Sequence, residues 1–195
     1  MTADIRAGIY DWMCTYSGVK YYPAAPDPRD VRIVDIAHHL ARLCRYTGAI
    51  KTEHYSVAEH SVHVSYCVPP EMAFLGLMHD APEAYINDIN RPLKRSLPDY
   101  ANIEKLNWVA VATKFNLPLE LPPEIHAADV RVYLTERDAL MPPMPGDTGY
   151  NGERAPVKIL ALAPNAAEYL FMQRYYELTR GRSSVPLVSL EGCAA

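Results

Sequence analysis

The sequence predicts an all-α protein that folds as a single-domain orthogonal helical bundle. Three observations carry this prediction: apolar residues recur at three- and four-residue steps, no stretch alternates convincingly between apolar and polar residues, and neither a glycine-rich phosphate loop nor a strand-helix-strand rhythm is present. A chain of 195 residues can bury about 70% of the surface that its unfolded form exposes. We therefore expect about six or seven helices around one core.

The chain divides by composition into three parts. Residues 1–30 mix aromatic residues with turn formers and predict an N-terminal arm or short hairpin, which could cover a pocket mouth or serve as a packing or oligomer contact. Residues 31–180 carry the helical patterns, and residues 181–195 have the composition of a flexible tail. The helical domain is therefore expected to occupy the middle part.

Composition narrows the class of protein. The four cysteines form no CxxC pair, which argues against both a disulfide framework and a thiolate zinc site and fits reduced thiols. The first residues lack the pattern of a signal peptide, and no apolar run reaches the ~20 residues of a membrane span. A net charge of -4 argues against a general nucleic-acid binder. We expect a cytoplasmic protein, or one in the host cytoplasm if phage-encoded, without membrane or stable nucleic-acid partners.

The first two helices are marked by clear sequence signals. Helical spacing of apolar residues from Val31 predicts a helix that ends at Arg45, and Tyr46-Thr47-Gly48 would break it. Ser56-Val57-Ala58-Glu59 has the S-x-x-E form of a capping box, in which serine and glutamate satisfy backbone donors at a helix start. This box places His60 in the first turn of the second helix.

Later helices follow from the same spacing rules. Pro69-Pro70 begins a third helix, whose apolar run from Met72 leads into His79-Asp80. Three further helices are predicted over about 99–115, 124–140 and 165–179. In the first of these, we expect the buried face to consist of Ile103, Leu106, Val109, Ala110 and Phe115.

Imidazole and carboxylate groups come from three of these helices, each within apolar surroundings: His60, His79-Asp80 and Asp129. A buried charge is strongly penalised unless it is paired or bound to a metal, although a His-Asp pair alone is more often a core histidine beside a helix-end acid. Together the four residues form a mixed nitrogen and oxygen ligand set for a divalent ion, which could be Zn, Mn, Co, Ni, Fe or Mg. The other histidines, including His126, are interpreted as structural or surface residues.

The order of these residues resembles the H…HD…D signature of the HD superfamily of metal-dependent phosphohydrolases. Within that superfamily, four segments are most similar to bacterial 5′-deoxynucleotidases and phage deoxynucleoside triphosphate hydrolases: 56–61, 79–84, 87–88 and 92–94. The similarity covers residues 31–140, and its motifs are specific because several occur in order at family-like spacing. It implies that residues 31–180 form an HD phosphohydrolase domain.

The resemblance also implies a role for individual residues. It makes Glu83 and Asp88 the acids beside the metal-bound water, Arg45 the arginine that holds the phosphate, and Lys94 a phosphate-binding lysine. Tyr46 stands where relatives often have a tryptophan that packs on the nucleoside. The implied metal ligands are His60, His79, Asp80 and Asp129.

The chemistry of these residue types agrees with the implied roles. A divalent ion lowers the pKa of bound water to about 7, and a carboxylate such as Glu83 can orient that water or take its proton. A guanidinium such as that of Arg45 offers two parallel donors to a phosphate. Structural alternatives are a helix cap for Glu83, a turn former for Asp88 and a helix-end cation for Arg45.

The substrate expectation rests on Arg91, Lys94 and Arg95, which concentrate three cations within five positions. A triphosphate benefits from such additional cations. We therefore expect a dATP-type deoxynucleoside triphosphate triphosphohydrolase that releases deoxynucleoside and triphosphate. The alternatives are a 5′-deoxynucleotidase that releases phosphate from dNMPs and a non-catalytic nucleotide-binding HD module. The expected partner is a small-molecule deoxynucleotide, and the aromatic arm and the family habit favour a homo-oligomer.

Overall fold

The computed structural model describes residues 4–143, 146 and 151–180, and the predicted tail at 181–195 lies outside this range. The described chain is mostly helical, which confirms the predicted helical class, and it contains one two-stranded antiparallel sheet. The strands are β1 (Met13–Cys14) and β2 (Lys20–Tyr21). The helices are α1 (Ile33–Arg42), α2 (Val57–Tyr66), α3 (Ala73–Met78), α4 (Glu83–Ile86), α5 (Arg91–Lys94), α6 (Pro98–Phe115), α7 (Pro123–Leu140) and α8 (Pro164–Thr179).

Helix α2 lies at the centre of the core. Every residue from Val57 to Ser65 is buried, and α1, α3, α7 and α8 all pack against this helix. Gly76 lets α3 approach α2 closely, because a Cβ atom at this position would lie 3.2 Å from Cα of Ser65. The close approach brings the end of α3, and with it His79, towards the face of α2 that carries His60.

The start of α2 confirms half of the predicted capping box. Oγ of Ser56 accepts a hydrogen bond from the backbone N–H of Glu59 at 3.1 Å. The Glu59 carboxylate, however, accepts the backbone N–H groups of three successive residues across the fold, Leu160, Ala161 and Leu162. Glu59 therefore holds the segment before α8 against α2. Three hydrogen bonds to a buried carboxylate stabilise the fold more than the one hydrogen bond that Glu59 would make in a capping box.

The N-terminal arm belongs to the core. The predicted hairpin forms with Met13 opposite Tyr21, and the Tyr21 side chain is fully buried. Its hydroxyl donates to Oδ1 of Asn107 at 2.7 Å, and Nδ2 of Asn107 donates to the Pro23 carbonyl at 2.8 Å. The arm thus covers the side of α6 that carries Asn107.

This packing corrects the predicted buried face of α6. Leu106 and Val109, both expected inside, are 48% and 38% exposed, whereas Asn107 and Trp108 are buried. The polar Asn107 is stable inside because the arm satisfies the hydrogen bonds of its side-chain amide.

A further correction concerns α1, which ends at Arg42 rather than at Arg45, since Leu43 adopts an extended conformation.

None of the helices in the described ranges combines the length and apolar character that crossing a membrane requires.

Candidate metal centre

Side chains from three helical segments meet beside α2. His60 lies in the first turn of α2, His79 directly follows α3, and Asp129 lies on α7; one ligand atom from each falls within 4.8 Å of the others. Both imidazoles are buried, and Nε2 of His60 lies 3.1 Å from Oδ1 of Asp129. This group could hold a metal ion.

Asp80 adds a second carboxylate to this group. Its Oδ2 lies 3.5 Å from Nε2 of His60 and 3.2 Å from Nε2 of His79. The structure therefore brings together all four residues that the sequence predicts as ligands, from three separate segments of the chain.

Both imidazole rings are held by their other nitrogen. Nδ1 of His79 donates to the Gly76 carbonyl at 2.8 Å, and Nδ1 of His60 lies 2.6 Å from Oε1 of Glu136. With the proton on Nδ1, the Nε2 lone pair of each ring faces the carboxylates, and within the described protein no well-oriented hydrogen bond satisfies either Nε2 atom. Metal-binding histidines use this arrangement, so the residues fit a divalent ion.

The electrostatics of the group favour a bound cation. Burial alone would raise the pKa of Asp80, but His79 and His60 outweigh burial and lower it; His60 likewise holds the pKa of Asp129 below its ordinary value. Burial and the Arg45 cation oppose protonation of His60, but Glu136 and Asp129 outweigh them and raise its pKa to about 9. Ionised carboxylates therefore surround the imidazoles and attract positive charge.

Glu136 connects this group to Arg45 and two tyrosines. Its side chain is fully buried; Oε1 accepts the Tyr55 hydroxyl at 2.7 Å, and Oε2 accepts the Tyr46 hydroxyl and lies 3.2 Å from Nε of Arg45. Burial would raise the pKa of Glu136, but Arg45 and His60 outweigh it and hold the pKa below its ordinary value. Glu136 is therefore an ionised hydrogen-bond acceptor on the side of the His60 ring that faces away from Asp80 and Asp129.

Arg45 and Tyr46 reach the site through a left-handed turn. The φ angles of Tyr46, Thr47 and Gly48 are 58°, 55° and 78°. Positive φ angles are unfavourable for residues other than glycine, so contacts with the surrounding structure must stabilise this conformation of Tyr46 and Thr47. Nη1 of Arg45 lies 3.7 Å from Oδ2 of Asp80, so the predicted phosphate arginine lies beside a predicted ligand. The Tyr46 hydroxyl is directed towards Glu136 instead, and packing of Tyr46 on a nucleoside stays a prediction.

Glu83 and Asp88 lie on the connection that follows His79. The chain from 79 to 82 forms i+3 turns rather than a continued helix, and the Glu83 N–H donates to the Asp80 carbonyl at 3.0 Å. Glu83 is buried, and its Oε2 has no hydrogen-bond partner among the residues described. Burial raises the pKa of both acids, and Asp80 adds to it, so both hold protons more tightly than exposed carboxyls.

A cavity of about 380 Å³ opens beside the ligand group. Its polar lining includes His79, Asp80, Glu83 and Asp129, and its apolar lining includes Trp108, Leu121, Pro122 and Ile125. Lys105 and the exposed His126 also line it. The volume falls in the range of small-molecule sites, about 300 to 1,000 Å³.

Lys94 lies at the margin of this cavity. Its Nζ pairs with Glu104, which lines the cavity. Burial would lower the pKa of Lys94, but Glu104, Glu83 and Asp80 outweigh it and raise the pKa, so Lys94 carries its charge within electrostatic reach of the site acids. Arg91 and Arg95 are exposed and are not part of the described cavity lining.

Comparison with known proteins defines the family. No family model matches the chain. The chain is 36% identical over 178 residues to the uncharacterized protein YfdR of Escherichia coli (strain K12), and the alignment covers 86% of this chain and 96% of YfdR. The chain belongs to the YfdR family. An uncharacterized protein of Rhodobacter capsulatus is 34% identical over 126 residues, which are 60% of this chain and 64% of that relative. Neither name states an activity.

Two site residues of this YfdR-family chain were missed by sequence reasoning. Glu136 lies seven positions after Asp129 on α7, a spacing that puts both side chains on one helix face. That spacing was the available signal. Trp108 lies on α6 and gave no local signal, because only the tertiary fold brings α6 to the cavity.

Proposed function

We propose that this YfdR-family chain is a divalent-metal-dependent hydrolase of deoxynucleotide phosphate esters, with an orthogonal bundle of the HD type. One observation carries the proposal: two buried imidazoles, each held at Nδ1, direct their Nε2 atoms at two carboxylates that lie 3.1 to 3.5 Å away beside a cavity. A mixed set of two imidazoles and two carboxylates is a ligand set for a divalent ion with positions left for water and substrate.

His60, His79, Asp80 and Asp129 would hold the ion, which could be Zn, Mn, Co, Ni, Fe or Mg. When bound, a divalent ion supplies Lewis-acid activation of water and of the phosphoryl group. The hydrogen bonds at Nδ1 fix the orientation of both rings in advance, so binding needs little rearrangement.

Glu83 is the proposed base. It lines the cavity next to Asp80, and its Oε2 has no hydrogen-bond partner among the described residues, so this atom can accept a proton from the attacking water. Burial and the Asp80 charge raise the pKa of Glu83, so it would hold an accepted proton more tightly than an exposed carboxylate. Asp88 is the proposed second acid, which orients the same water.

Arg45 and Lys94 are the proposed phosphate-binding cations. Arg45 lies 3.7 Å from Asp80 and so adjoins the ligand group, and its planar guanidinium suits two oxygens of one phosphate. Lys94, at the cavity margin, supplies a point charge for a phosphate further from the centre. The apolar lining formed by Trp108 and its neighbours suits a nucleoside.

A deoxynucleoside triphosphate is the proposed substrate, with deoxynucleoside and triphosphate as products. Two cations besides Arg45 support it, because Lys105 lines the cavity and Lys94 pairs with Glu104 of the cavity lining. A deoxynucleoside monophosphate is the second candidate, and the pairing of Lys94 with Glu104 favours it, since an engaged lysine is less available to a long polyphosphate.

Metal analysis combined with a product screen tests the proposal. Purified protein would be analysed for bound metals and incubated with each dNTP and dNMP in the presence of single divalent ions. Triphosphate and deoxynucleoside released from dNTPs support the first candidate, and inorganic phosphate released from dNMPs supports the second. Nucleotide binding without turnover by any metal-loaded form would refute the hydrolase and leave a binding module.

A further inference from the structure

Glu136 joins the two halves of the proposed site through one carboxylate. One oxygen faces Nδ1 of His60 at 2.6 Å, and the other lies 3.2 Å from Nε of Arg45. Tyr55 and Tyr46 each donate a hydroxyl hydrogen bond to it, so four side chains surround the carboxylate. Since His60 is a proposed ligand and Arg45 a proposed phosphate cation, both depend on the same anion.

Burial alone does not explain these partners. Glu59, the residue before His60, is equally inaccessible to solvent, yet its carboxylate accepts backbone N–H groups of residues 160–162. Its side-chain neighbour at 3.4 Å is His63, which is not part of the proposed site, so Glu59 serves the fold. The four partners of Glu136 described above are all side chains, and two of them, His60 and Arg45, belong to the proposed site. The two acids therefore differ in their partners and match in their burial.

We infer that Glu136 is a positioning residue that sets both the His60 ring and the Arg45 guanidinium, an inference that rests on the proposed function. By accepting a hydrogen bond from the Nδ1–H group, it keeps the Nε2 lone pair of His60 directed into the centre and makes the ring a better ligand. By its charge, it holds Arg45 beside Asp80, where the guanidinium can meet a phosphate.

The test is Glu136→Gln, which keeps the size of the side chain but removes its charge. We expect Co²⁺ affinity, measured by titration calorimetry, to fall about 10- to 100-fold, as is typical when such a partner of a ligating histidine is lost. The visible spectrum of the Co²⁺-loaded protein should also change, and KM for nucleotide should rise because Arg45 loses its anion. The first two readouts, Co²⁺ affinity and the Co²⁺ spectrum, do not depend on turnover of the loaded protein.

Glu59→Gln is the matched control. It changes an equally buried carboxylate next to His60, so it should lower the melting temperature while leaving Co²⁺ affinity and the Co²⁺ spectrum unchanged. Wild-type affinity and spectrum in folded Glu136→Gln would overturn the inference. If Glu136→Gln does not fold, Glu136→Asp decides: a partial loss of Co²⁺ affinity supports positioning, and wild-type affinity refutes it.

A failure of the proposed function can be distinguished from a failure of this inference by the behaviour of the wild-type protein. Wild-type protein that binds no divalent ion and turns over no nucleotide would remove the proposed function and this inference with it. Wild-type protein that is active, together with a folded Glu136→Gln that matches it in metal affinity and KM, would remove the inference alone.

Discussion

The two halves of the site differ in how the fold holds them. The ligand half is made by His60 and His79, both buried, with each ring fixed by a hydrogen bond at Nδ1. The proposed phosphate half contains Lys94, on the four-residue helix α5, where Arg91 is exposed to solvent. Packed groups keep their geometry, whereas groups on short, exposed elements adjust more readily to a ligand. We therefore expect changes in the ligand half to abolish function and changes in the phosphate half to tune it.

The largest effect is expected from Asp80→Ala. This change removes the carboxylate whose Oδ2 lies within 3.5 Å of both imidazole Nε2 atoms, so both metal content and turnover should be lost. Elemental analysis and the product assay measure the two effects. Asp99→Ala, which alters an exposed acid at the start of α6, is the control. Full metal content in Asp80→Ala would exclude Asp80 from the ligand set.

Glu83→Gln should separate metal binding from chemistry. Glu83 starts α4 and lines the cavity. We propose that it accepts a proton from the attacking water and does not bind the metal ion. We expect unchanged metal content and a fall in kcat of about 10²- to 10⁴-fold. Loss of metal in this variant would move Glu83 into the ligand half and undo the division between ligand and base.

Arg45→Ala should slow turnover and weaken substrate binding without loss of metal, because Arg45 lies between the proposed ligands and the proposed phosphate half. Removing a hydrogen-bond donor that stabilises negative charge developing in the transition state lowers kcat on the order of 10²- to 10³-fold. We expect KM to rise as well. Metal content should hold, because Glu136 keeps its hydrogen bond to His60. Arg42→Ala is the control, since Arg42 ends α1 and pairs with Glu168 at the surface. Unchanged kinetics would give Arg45 a purely structural role.

Local patterns predicted much of this arrangement. The cap at Ser56 placed the start of α2 and His60, and the predicted helices over 99–115 and 124–140 differ from α6 and α7 by one residue at the start. These features depend on neighbours in sequence, which a single chain displays. The order of the four proposed ligands also follows from short motifs in three separate segments of the chain.

Contacts between distant segments were not predictable in the same way. The partners of Glu136 are an arginine and a tyrosine in the turn after α1, a second tyrosine, and a histidine in α2, all 76 or more positions away. Likewise, Leu106 is exposed and Asn107 buried on α6 because the N-terminal arm supplies hydrogen bonds to the amide. A helical periodicity records which residues share a face, but not which face the rest of the chain covers.

The smallest effect is expected from Lys94→Ala, which tests the phosphate half directly. Lys94 already pairs with Glu104, so substrate must compete for it, and a half-exposed cation is screened by salt. We expect KM for dNTP to rise about 3- to 10-fold at low salt, with a smaller rise at high salt and metal content unchanged. Arg95→Ala, an exposed neighbour, is the control. Because only a polyphosphate should extend to Lys94, an equal effect on dNMP turnover would place Lys94 at the reacting phosphate instead and would weaken the argument for a triphosphate substrate.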